Sequence, residues 1–248
     1  MIRQTFVVNT ILSVLLLGLS INQPVLATSQ DQETIEVSDE TVNSLRKKAD
    51  QGDAEAQYLL GMMYDSGRGV KQSYAEAVKW YRKAADQGKA EAQLILGLMY
   101  EEGQGVKQSY AEAEKLYRKA ADQDNAYAQY QLGHMYCYGR GVKQSYTEAT
   151  KWLRKAADQD HAAAQYMLGI LYGSGKGVKQ SYTKSANWFR KAADQGHANA
   201  QLLLGSMYEE GAGVRQSYQK AKEYFGKACD NGDDRGCEKY SIMNKAGY

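Results

Sequence analysis

The chain is 248 residues long, with 31 basic and 29 acidic side chains and a formal charge of +2. A surface so nearly neutral and evenly mixed offers little attraction to a polyphosphate backbone, which argues against a nucleic-acid partner.

The first element is expected to be removed. Arg3 supplies a basic start, Phe6 to Leu19 is apolar apart from Asn9, Thr10 and Ser13, and Val25-Leu26-Ala27 places small residues at −3 and −1 of a cleavage site. The apolar run is shorter than the ~20 residues of a membrane span. Residues 1–27 are therefore expected to be a cleaved signal peptide, the alternative being an uncleaved anchor. No cysteine lies near the cut, which argues against a lipoprotein, and loss of Arg3 takes the charge from +2 to +1. The mature chain is then exported, periplasmic or secreted, without a stable membrane anchor. Residues 28–40 (TSQDQETIEVSDE) are acidic, with only Ile35 and Val37 to bury. Such a segment cannot offset its ordering entropy and is expected to be a disordered leader.

From Asp53 one phrase returns five times, in blocks of 36 residues beginning at Asp53, Lys89, Asn125, His161 and His197. Self-similarity at this period means stacked supersecondary units, hence a solenoid whose surfaces serve contact with other molecules. Each block predicts two helices. In the first, helix A covers about Ala54–Tyr64 and helix B about Tyr74–Asp86, separated by Gly67 and Gly69 and closed by the left-handed positions Gly52 and Gly88. Ser73 and Glu76 form a capping box at the start of helix B, repeated at Ser109/Glu112 and Ser145/Glu148. The apolar face of helix B is Tyr74, Ala77, Trp80, Tyr81, Ala84 and Ala85, so Trp80, Trp152 and Trp188 are expected in the core. Helix A has a constant face (Ala56, Gln57, Leu60, Gly61 and Tyr64, identical in all five copies) that must pack. Gly61 marks a close contact, since a mid-helix glycine otherwise costs about 1 kcal/mol. A second face changes from copy to copy. Cys229 and Cys237 lie eight apart, where an exported chain permits a disulfide. Cys137 has no evident mate.

The pattern A-x-x-x-L-G-x-x-Y, then G-x-G-V, then an aromatic helix ending K-A-A-x-x-G, is similar to the Sel1-like repeat, a short relative of the tetratricopeptide class. The resemblance covers residues 53–232. It makes residues 41–52 an orphan helix B capping the N-terminal end, and 233–248 a capping half-repeat at the other. It implies an all-α, right-handed α/α superhelical solenoid acting as a monomeric adaptor or scaffold for a protein or peptide, in the bacterial envelope or at a host interface. It also implies that helix A lines the concave side. The varying face then supplies the candidate binding residues Tyr58, Met62, Leu94, Leu98, Tyr127, Tyr130, His134, Tyr166, Ile170 and Leu202, with an acidic rim of Glu55, Glu91, Glu101, Glu102 and Glu209. The alternative for these side chains is packing between neighbouring A helices.

Cys229 and Cys237 resemble the bridge of the cysteine-rich Sel1-like proteins; closing so short a loop is worth roughly 2–3 kcal/mol. At the other junctions the equivalent pairs are alanine and glutamine, as in Ala85/Gln93. Some of those relatives are classed as β-lactamases, and S-x-x-K occurs at Ser44/Lys47, Ser181/Lys184 and Ser217/Lys220, without S-D-N or K-T-G. A hydrolase is thus the alternative to an adaptor. His134 and Cys137 lie one turn apart, but two ligands do not make a metal site, and no cofactor is expected.

Overall fold

The computed structural model describes residues 39–248, which belong to one compact unit, Glu36–Tyr248. These residues form twelve α-helices and no strand. They are α1 (Asp39–Asp50), α2 (Ala54–Ser66), α3 (Tyr74–Asp86), α4 (Ala90–Glu102), α5 (Tyr110–Ala121), α6 (Ala126–Tyr138), α7 (Tyr146–Asp158), α8 (Ala162–Ser174), α9 (Tyr182–Asp194), α10 (Ala198–Glu210), α11 (Tyr218–Asp230) and α12 (Asp234–Lys245). Even-numbered helices are A, odd-numbered are B, and each packs on the helix before and after it, giving the expected α/α solenoid. The signal peptide and residues 28–38 lie outside the described residues. Asp39 and Glu40, expected in the leader, instead open α1, whose first turn favours carboxylates beside its exposed N–H groups. Helix A also runs two residues past Tyr64, to Ser66, before Gly67 turns left-handed at φ 75° and ends it.

Helix B starts as expected, but only half of the capping box forms. The Ser73 hydroxyl accepts the Glu76 N–H at 3.3 Å. The Ser73 N–H is already taken, donating to the Tyr64 carbonyl at 2.8 Å. Glu76 has no donor left to reach back to, so it pairs with Lys79. Ser109 and Ser145 repeat the arrangement, with Glu112–Lys115 and Glu148–Lys151 pairs. Tyr74, expected on the buried stripe, is exposed, and Trp188 is half-buried where Trp80 and Trp152 are buried.

Within a repeat the two helices meet where a Cβ is missing. A methyl group on Gly61 would sit 2.7 Å from the Tyr81 ring; Gly97, Gly133, Gly169 and Gly205 face Tyr117, Leu153, Phe189 and Phe225 in the same way. Between repeats, polar groups set the register. The buried amide of Gln57 donates to the Ala49 carbonyl at 2.9 Å and accepts from Gln87 at 2.7 Å. Gln93, Gln129, Gln165 and Gln201 do the same, donating to Ala85, Ala121, Ala157 and Ala193. Each such bond is worth about 1 kcal/mol net and far more than that to leave unmade. A second ladder runs Arg46–Tyr64, Arg82–Tyr100, Arg118–Tyr136, Arg154–Tyr172 and Arg190–Tyr208, each guanidinium donating to the tyrosine hydroxyl of the next repeat. At the last junction Cys229 and Cys237 stand where the alanine and glutamine would be, joined by a disulfide with Cα atoms 4.5 Å apart.

Candidate partner-binding face

The outer faces of the A helices differ in charge along the stack. Helices α2 and α4 carry Glu55, Asp65, Glu91, Glu101 and Glu102, whereas α6 and α8 hold no acidic, lysine or arginine side chain at all. In place of charge, α6 and α8 present rings. Tyr127, Tyr138 and Ile170 are 46%, 61% and 40% exposed, well above what large apolar side chains in a packed solenoid require.

All three histidines of the chain belong to this region. His161 stacks on Tyr130 with ring centroids 4.7 Å apart and planes 21° apart, and Tyr127 meets it edge-on at 4.8 Å. His197 stacks on Tyr166 at 4.6 Å. His134 sits between Tyr130 (6.2 Å) and Tyr138 (4.6 Å). Two of these imidazoles also cap helices: Nδ1 of His161 accepts the Ala164 N–H, and Nδ1 of His197 the Ala200 N–H, both at 3.3 Å. A cap of this kind needs an unprotonated Nδ1. Burial enforces that state, lowering His161 to about 4 and pulling His134 and His197 below the usual imidazole value, with the Arg140 charge adding to the effect at His134. The face is thus a neutral aromatic surface with amide and imidazole edges, suited to an apolar or aromatic segment.

The structure divides the expected binding residues. Tyr127 and Tyr130 meet at His161, with His134 beside Tyr130; Tyr166 lies under His197, Ile170 is exposed one turn further along α8, and Leu98 packs half-buried against the cluster of Leu94 and Tyr117. Tyr58, Met62, Leu94 and Leu202 do not qualify as contact residues, being between 3% and 7% exposed. Their flank of helix A meets the neighbouring repeat: Leu94 packs in a cluster with Tyr117 and Leu132, and Leu202 in one with Leu204 and Phe225. Tyr58 lies against Tyr81, and Lys89 covers its ring. Tyr138, His161 and His197 were not among the expected residues. A spacing signals the latter two, because the residue 31 positions after a tyrosine of this row covers its ring, as Lys89/Tyr58, His161/Tyr130 and His197/Tyr166 show.

The remaining candidates have other roles. Ser181 and Ser217 cap helices by accepting the Lys184 and Lys220 N–H groups, while those lysine ammonium groups lie over Tyr172 and Tyr208. Neither pair has the lysine amine turned toward its serine. Cys137 is a free, buried thiol that burial pushes up to about 11, an unreactive state. Among the described residues, no helix is long and apolar enough to cross a membrane.

The Sel1 repeat profile matches the chain at residues 54–89, 90–125, 126–161, 162–197 and 198–233. Among solved structures, the chain is similar to c5321, a protective antigen of uropathogenic Escherichia coli strains with an SLR fold: 39% identity and TM-score 0.82 over 84% of this chain and 44% of that one. The chain therefore spans less than half the length of that antigen. A Sel1 repeat protein from Oxalobacter formigenes is 34% identical, with TM-score 0.77 over 84% and 83% of the two chains. The immunity protein PA5088 from Pseudomonas aeruginosa shares the fold at 22% identity and TM-score 0.53. No curated protein sequence matches the chain.

Proposed function

Because the chain belongs to the Sel1 repeat family, a fold generally used for protein–protein interaction, we propose that it is an adaptor that binds a protein or peptide through the A-helix face of its third and fourth repeats. The observation that carries this reading is the uncharged aromatic surface of α6 and α8, with Tyr127, Tyr138 and Ile170 open to solvent. Exposed aromatic side chains flanked by half-buried ones give a partner rigid apolar area at little entropic cost. The adaptor works outside the cytoplasm, in the cell envelope or at a host surface, a placement that rests on the signal-like residues 1–27.

The contact residues to test are the exposed ones, since Tyr130 and Tyr166 lie beneath imidazoles and packing would suffer with them. Crosslinked capture from the cell envelope is expected to yield partners held by the wild type and lost by Y127A/Y138A/I170A, with helicity equal in both. Equal capture by the two proteins would move the site off this face. N-terminal sequencing of the mature protein is expected to begin at Thr28; a chain beginning at Met1 would remove the cleaved-signal reading, and its recovery from the cytosolic fraction would remove export as well.

A further inference from the structure

Every repeat turns from helix A to helix B through the same four residues, Lys71-Gln72-Ser73-Tyr74 in the first and Arg215-Gln216-Ser217-Tyr218 in the last, with Lys107, Lys143 and Lys179 opening the three between. These corners touch one another. A Cβ on Gly105 would lie 2.5 Å from the Tyr74 carbonyl of the preceding repeat, and Gly141, Gly177 and Gly213 crowd Tyr110, Tyr146 and Tyr182 in the same way. Lys176 of one corner lies over the Tyr146 ring of the one before. The corners therefore form a continuous ridge.

The ridge is rigid and carries a single sign in its leading row. Gln72 braces each corner, donating to the Asp65 carbonyl at 2.7 Å and to the Tyr74 hydroxyl at 3.3 Å. The same brace recurs at Gln108, Gln144, Gln180 and Gln216. Elsewhere most of the repeated cations are used within the protein. Lys79, Lys115 and Lys151 pair with glutamates, Lys83, Lys155 and Lys191 lie over tryptophans, and the arginines bind tyrosine hydroxyls. Among the described residues, none pairs with Lys71, Lys107, Lys143, Lys179 or Arg215, and all five are exposed. Tyr74 and Tyr182 offer open rings beside them, whereas the Tyr218 ring packs against Tyr248.

We propose that this ridge binds a linear acidic polysaccharide, one cation meeting one anionic group per repeat while the tyrosine faces pack on sugar rings. Neighbouring corners are about one helix diameter apart, ~10–12 Å, a length that suits one charge per disaccharide. Duplex DNA, with a charge every ~1.7 Å, is far denser than the row can match. The row is one cation wide, and its tyrosines are tied back through their hydroxyls, so it lacks the broad charged plane and insertable side chains that a bilayer surface rewards. The ridge uses residues other than those of the aromatic face of α6 and α8, so the two assignments are tested by different substitutions.

Hyaluronan, which carries one carboxylate per disaccharide, immobilised on a biosensor supplies the test, with neutral dextran as blank. Wild-type chain is expected to bind, losing at least about tenfold in affinity from about 50 to 200 mM salt. K107Q/K143Q/K179Q is expected to weaken binding by about tenfold, as three exposed ion pairs allow. K79Q/K115Q/K151Q removes the same net charge elsewhere and is expected to change it by less than about twofold, since those cations are already paired. Circular dichroism should be identical for all three. Equal losses in the two triple variants would reduce the effect to net charge, and absence of wild-type binding at low salt would overturn the proposal. So would oligothymidylate, or phosphatidylglycerol–phosphatidylcholine vesicles, binding as tightly as hyaluronan.

Discussion

At the scale of single residues, the constant glycine of helix A shows packing overruling propensity. Alanine is the better helix former by about 1 kcal/mol, yet the Cβ of an alanine at position 97 would fall 2.6 Å from the Tyr117 ring, which is itself fully buried. Neither helix can retreat without breaking the glutamine and arginine ladders on its far side. G97A is therefore expected to destabilise the protein by about 1–3 kcal/mol in urea titration, the usual cost of overpacking. An unchanged or raised midpoint would mean that the helix pair slides freely. The glycine was legible in the sequence because it recurs in phase where a helix should not want it; what it touches was not, since Leu153 and Phe189 take the place of tyrosine in other repeats.

At the scale of elements, each helix B is tied to the next helix A by a glutamine amide at five junctions and by a disulfide at the sixth. The two devices occupy the same pair of positions, eight residues apart. Among the described residues α12 packs chiefly on α11, whereas every other A helix packs on a helix at either side. Substituting C229S/C237S is expected to cost about 2–3 kcal/mol by the loop-closure estimate, seen as faster amide exchange confined to α11 and α12. C229A/C237Q restores the pair found elsewhere and is expected to recover about 1 kcal/mol of that loss, the worth of one buried hydrogen bond. Equal exchange in the two variants would show that the glutamine does not transfer between junctions. Periodicity made the helices readable to within two residues at their ends. The binding face was harder to read because a row that varies in sequence can vary for two reasons. Tyr58 and Leu94 vary because each fits a different buried neighbour, whereas Tyr127 and Tyr138 each meet one histidine ring and otherwise stay open to solvent. Sequence variation alone does not separate these, and only the packing of adjacent repeats does.

For the whole molecule, the three histidines couple stability to pH. Folded His161 titrates at about 4 and His134 and His197 also below the ordinary value, while the unfolded chain titrates near 6.5. Between these limits the unfolded chain binds protons that the folded one does not. Stability is accordingly full above pH 6.5 and falls as the pH drops toward 4, by an amount on the order of 1–3 kcal/mol. Asparagine already serves as this cap at position 125, so H161N/H197N keeps the caps but loses both ring stacks; it is expected to lower the neutral-pH melting temperature by several degrees and to flatten most of the decline between pH 6.5 and 4.5. A slope unchanged by the substitutions would assign the acid sensitivity to carboxylates.

The ladders also bear on how such a chain changes length. Every repeated polar lock between units joins residues 8, 18 or 30 positions apart, so each is complete within any stretch of two neighbouring units and none refers to the total number. A tandem duplication of 36 codons would copy all of them in register and leave both capped ends intact. Span becomes a heritable quantity that unequal recombination can adjust in fixed steps, with no interface to invent at each step.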